Sequence, residues 1–200
     1  MEEDPSLQTA HDNLLYIRKT LEAAGQLTAV SGKALIAIGI LALAGAAVNG
    51  WITGAPWAVA DPRLALTVWG IVLVLSLTAV LFGMYRKSLE LCTPIQPPLL
   101  RKLLWSLCPS LFVGALMTGL VVHSDKLYWL PVIWLGCYGA AVTNGGQASI
   151  PPVRNMGLCF LLTSAGAAWS PEEAGLAWLA LGFGWLHIVY GAHIARRYHG

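Results

Sequence analysis

The sequence predicts an all-α polytopic membrane helix bundle with six transmembrane helices, preceded by a short amphipathic N-terminal helix. Three observations predict it. Of 200 residues, 56% are hydrophobic and 11% charged, whereas a soluble domain carries roughly 25% charged residues. Apolar blocks of span length recur along the chain, and a spanning helix needs roughly 20 apolar residues because the hydrocarbon layer is about 30 Å thick. The lysines and arginines fall on alternate sides of those blocks in a lopsided way.

The elements follow in order. Residues 1–30 are predicted to form a cytosolic or interfacial segment. Within 6–25, Leu7, Ala10, Leu14, Ile17, Leu21 and Ala24 share one helical face while His11, Asp12, Arg18, Lys19 and Glu22 lie mostly off it, which suits a helix lying on a membrane surface. Pairing with a second copy in a homodimer would use the same stripe. Asp4-Pro5-Ser6 supplies a helix start. No basic n-region or cleavage site precedes the first apolar block, so it is expected to remain in the mature protein.

Residues 31–200 are predicted to form the transmembrane domain, with spans near 32–51, 64–86, 101–122, 128–147, 153–169 and 174–195. Breaker residues punctuate them: Gly54-Ala55-Pro56, Asp61-Pro62, Thr93-Pro94, Pro97-Pro98, Ser124-Asp125, Pro151-Pro152 and Ser170-Pro171. Under this map Arg18, Lys19, Lys33, Arg86, Lys87, Arg101, Lys102, Arg154, Arg196 and Arg197 share one side, and only Arg63 and Lys126 take the other. The positive-inside rule then puts both termini of the multi-pass chain in the cytosol. Trp51, Trp57, Tyr128, Trp129 and Trp169 mark the outer headgroup level, and Tyr85, Trp105 and Tyr198 the inner one.

Candidate chemistry concentrates in the last three spans. Ala180, Gly184, His187, Gly191 and Ala195 follow helical spacing, and small residues of that kind let helix backbones approach. His187 lies about 13 Å from the cytosolic edge at 1.5 Å per residue, near the midplane. An ionisable group at that depth is either functional or a hydrogen-bonded helix lock. Span four ends in a polar run, Tyr138, Thr143, Asn144 and Gln147, and span five begins with Arg154 and Asn155. The tight Pro151-Pro152 turn brings these ends together. His187, Asn144, Gln147, Asn155, Tyr190 and Thr143 are therefore the candidate ligand-binding residues, and amides bonding between helices would produce the same pattern without a cavity.

Several classes are disfavoured. Net charge is +2 with no long basic run, so nucleic acid is not an expected partner. Cys92, Cys108, Cys137 and Cys159 show no CxxC or zinc spacing. No second histidine lies at a depth to complete a bis-histidine haem. No cofactor, metal or catalytic residue is expected. No acidic residue lies inside a predicted span, so the carboxylate relay of a proton- or sodium-coupled pump is missing.

One internal echo stands out: Gly45-Ala46-Ala47-Val48-Asn49-Gly50 in span one and Gly139-Ala140-Ala141-Val142-Thr143-Asn144-Gly145 in span four. These spans would run in opposite directions, as an inverted 3+3 repeat demands. The match is short, and it keeps a transport reading open without establishing it.

The stretches 27–46 (LTAVSGKALIAIGILALAGA), 153–162 (VRNMGLCFLL) and 182–198 (GFGWLHIVYGAHIARRY) resemble a group of uncharacterised bacterial six-helix membrane proteins. The resemblance implies a bacterial inner-membrane location and no assigned activity. The leading expectation is a non-enzymatic protein that binds a small or lipid-like ligand within the bundle, as a sensor or accessory component. The alternative is a facilitative transporter or channel, as a dimer, and the third is a membrane enzyme or redox protein using His187.

Overall fold

The computed structural model describes residues 30–53, 62–90 and 97–198. The predicted N-terminal amphipathic helix lies outside them. Among the described residues the chain is helical and contains no strand. Six helical stretches follow one another: α1 (Gly32–Thr53), α2 (Pro62–Glu90), α3 (Pro97–His123), α4 (Leu130–Gly145), α5 (Pro151–Ala168) and α6 (Glu172–Arg197). They fall on the six apolar blocks, with α2 and α3 each reaching four residues past the expected span where they adjoin, Glu90 against 86 and Pro97 against 101.

Four of the six, α1, α2, α3 and α6, are long and apolar enough to cross a membrane. The other two are shorter. α4 has 16 residues, about 24 Å of α-helix, and single 3-10 turns at Leu127–Trp129 and Gly146–Ala148 lengthen it at both ends. α5 has 18 residues, Arg154 and Asn155 among them.

Lys87 fixes how the ends meet. It is 3% exposed, and its Nζ donates to the carbonyl of Val30 at 2.8 Å and to that of Tyr198 at 3.1 Å. The start of α1 and the end of α6 therefore share one end of the bundle with the end of α2. A cation on the last carbonyls of α6 also complements the helix dipole.

Packing is by close backbone approach. A Cβ on Gly32 or Gly39 would fall 2.4 to 2.6 Å from α6 backbone atoms at Ala195, Gly191 and Gly184. One on Gly157 would fall 2.4 Å from the Thr143 nitrogen. Where lipid tails are as apolar as side chains, such van der Waals approach replaces the hydrophobic effect as the source of association.

These contacts repeat. Helices α1 and α2 pack antiparallel, as do α4 and α5; α6 packs on α1 as α3 packs on α4. In the α1–α6 seam Leu43 covers Gly184, and in the α4–α3 seam Cys137 covers Gly114. Leu43 and Cys137 stand 94 positions apart, the same offset that relates Gly45 to Gly139 in the sequence echo. The halves α1–α3 and α4–α6 thus follow one packing rule in opposite directions. They differ in one seam: α5 packs on α6, whereas among the described residues α2 and α3 barely touch. The outward faces of α2 and α3, including Leu73, Val74, Leu77, Phe112, Leu116 and Leu120, are exposed, an apolar area too large for water.

Candidate functional site

His187 is the most enclosed ionisable side chain of the helices, 1% exposed. Its setting starts with backbone irregularity. Residues Ala180–Leu186 form a π-helical segment, in which i→i+5 bonding superposes residues five apart. Gly182, Phe183 and His187 thereby share one side. A Cβ on Gly182 would fall 2.3 Å from Leu135 and 3.2 Å from Phe160, which locates that side against α4 and α5. The small residues Gly184, Gly191 and Ala195 face α1 instead, so His187 occupies the flank of the small-residue stripe and not its centre.

Both ring nitrogens are engaged. Nδ1 lies 3.0 Å from the Phe183 carbonyl and Nε2 lies 2.8 Å from the Tyr138 hydroxyl. A carbonyl only accepts, so Nδ1–H is the donor; in the neutral ring Nε2 then carries the lone pair and accepts from Tyr138 O–H. Aromatic rings complete the enclosure. Phe160 stands edge-on to His187 with centroids 5.3 Å apart, Phe183 lies nearly parallel at 6.3 Å, and Tyr138 meets Phe160 edge-on at 4.8 Å. These distances fit favourable aromatic geometry. The box joins α4, α5 and α6 and holds the seam that has no counterpart between α2 and α3.

The other candidates separate. Tyr190 pairs its hydroxyl with Cys159 Sγ at 3.2 Å, one turn nearer the Lys87 end. Asn144 is exposed and donates to the Ser106 carbonyl on α3 at 2.9 Å. Gln147 and Asn155 are exposed. Thr143 turns into the α4–α5 contact against Gly157, its hydroxyl buried without a partner. His187 and Tyr138 come together, and the amides do not join them. Among the described residues no three His, Cys, Asp or Glu side chains converge on a metal position. A shallow crevice of about 200 Å³, lined by Tyr128, Trp129, Pro131, Ser170 and Glu172, lies at the end opposite Lys87.

Sequence reasoning passed over three groups. Phe160 and Phe183 are apolar letters among many, and nothing local marks Phe183, one turn before the histidine, as part of its box. Asn49, 0% exposed, and Trp69, 7% exposed, sit in α1 and α2 with their side-chain nitrogens and the Asn49 oxygen unpartnered. The signal that could have found Asn49 was its place in the echo.

No family model matches this chain, and neither the curated proteins nor the solved structures contain a match to it.

Proposed function

We propose that the chain is a six-span protein of a bacterial cytoplasmic membrane, termini on the cytosolic side, that moves a small molecule by facilitated transport. The observation that carries the reading is the unequal state of two matched halves. α1–α3 and α4–α6 pack by the same contacts in opposite directions, yet the α5–α6 seam is closed by the His187 box while the α2–α3 seam is open. Inverted repeats that pack unequally suit alternating access, in which one repeat rocks against the other around a fixed central site. The six spans are supported by the helical continuity of residues 127–148 through both 3-10 turns, which reaches at least about 33 Å. Arg86, Lys87, Arg101, Lys102, Arg154, Arg196 and Arg197 belong to the helix ends that meet near Lys87, while Arg63 and Lys126 belong to the other ends, which supports the orientation.

Reading the bundle as a ligand-binding sensor or accessory protein draws on the unpartnered Asn49 and Trp69, which suit a bound molecule whether or not it is released on the far side. Flux separates the two. Purified protein in proteoliposomes is expected to accelerate entry of at least one small solute over protein-free vesicles. A sensor passes none, and a null result across neutral, cationic and anionic small solutes would exclude the transport reading.

A further inference from the structure

Buried side-chain polar atoms without a hydrogen-bond partner among the described residues belong to four side chains: Asn49, Trp69, Ser76 and Thr143. Thr143 is wedged against the backbone of α5. Asn49 and Trp69 differ from it, because their positions converge. Gly45 lies against Val72, and Gly83 against Ala34, so α1 and α2 run antiparallel in a register that brings Asn49 level with Trp69. The Trp69 ring points inward, meeting Trp134 of α4 at 6.1 Å and Phe183 of α6 at 6.2 Å between centroids. Asn49 is 0% and Trp69 7% exposed. The backbone carbonyl of Asn49 accepts from Thr53 Oγ1 at 2.8 Å, leaving the carboxamide as the unmatched part of the residue.

A primary amide and an indole N–H buried in an apolar setting are both strongly unfavourable unless bonded. Together they offer three N–H donors and one carbonyl acceptor. Their complement is a molecule whose oxygen accepts two N–H bonds and whose own N–H donates to Asn49 Oδ1. No buried charge faces the carboxamide: on α2 Arg63 is exposed six positions from Trp69 toward the helix end, and on α6 Glu173 is exposed three positions before Leu176, which lies beside Gly50. Desolvating an ion without a partner is far costlier than desolvating a neutral group.

We propose that Asn49 and Trp69 form the binding site for a small uncharged solute of the urea or simple amide class. The proposal rests on the transport reading for its role as substrate site, while the binding itself stands apart from it. The ring line from Trp69 through Phe183 to Tyr138 and His187 links this site to the closed seam.

The test uses acetamide and urea as probes on full-length protein. Permeation into proteoliposomes is followed by stopped-flow light scattering, and acetamide-dependent thermal shift is followed in detergent. Wild-type protein is expected to speed permeation, N49L to cut the increment at least tenfold, and W69F, which keeps a ring, several-fold. Acetamide raises the melting temperature of wild type and not of N49L. Without solute N49L should melt no lower than wild type, since it removes an unmatched polar group; if it fails to fold, W69F carries the test. Equal flux and equal acetamide shift in wild type and variants would overturn the site and leave transport standing. No flux but an Asn49-dependent shift would keep the site and overturn its role in transporting this class of solute. Absence of both would overturn the site and the transport of this class of solute together.

Discussion

His187 and Asn49 are both fully buried polar side chains in apolar helices, and their surroundings differ at every hydrogen-bonding atom. The imidazole has a partner for each nitrogen, one from its own helix and one from α4, and three aromatic rings around it. The carboxamide has none among the described residues. The satisfied group sits in the α5–α6 seam, and the unsatisfied one belongs to the half in which α2 and α3 barely touch among the described residues. In an apolar interior a matched polar group fastens helices together, and an unmatched one marks a place where something else can bind.

The comparison can be broken most forcefully at the backbone contacts that hold the closed half. Gly157→Val drives side-chain atoms into the Thr143 backbone, where even a Cβ falls at 2.4 Å. The expected loss is about 3 kcal/mol or failure to fold, read as loss of a monodisperse peak in detergent. His187→Ala comes next: it leaves a cavity and strands the Tyr138 hydroxyl. A destabilisation of about 2 to 3 kcal/mol is expected in thermal or denaturant unfolding, and an unchanged melting temperature would mean that the box does not hold the seam.

Lys87→Met removes the clamp that joins Val30 and Tyr198. A loss of about 2 kcal/mol is expected, with earlier proteolysis at both ends of the described chain. Tyr138→Phe keeps the ring and deletes one bond, which should lower stability by about 1 kcal/mol, in line with hydrogen bonds between membrane helices. Against these, Asn49→Leu is expected to have the opposite sign, a gain of about 1 kcal/mol without solute. If Asn49→Leu destabilised as His187→Ala does, the contrast between the two centres would vanish.

Much of the fold was legible as text. Pro62, Pro97 and Pro151 begin helices at the breaker residues, because a proline ring with its fixed φ and missing N–H suits the first helical turn, although Pro109 shows that a long apolar helix also carries one in its interior. His187 was legible as a buried group, because a histidine within a long apolar block has nowhere else to go. Its partners were not. The stripe of Ala180, Gly184 and Gly191 suggested that His187 shares the face turned to the nearest small residues, whereas His187 meets Tyr138 of α4 and Phe160 of α5. Asn144, Gln147 and Asn155 looked equivalent to His187 as polar letters, but they lie at helix ends where solvent competes for their bonds.

By itself the sequence determined that the described chain is helical, and that several helices are apolar enough to cross a membrane, since those properties follow from composition and local backbone chemistry. Tertiary structure alone decided which polar side chains find partners and which seam closes. A hydrogen bond such as Tyr138 to His187 joins residues 49 positions apart, and it depends on helix rotation and crossing geometry that no local pattern encodes.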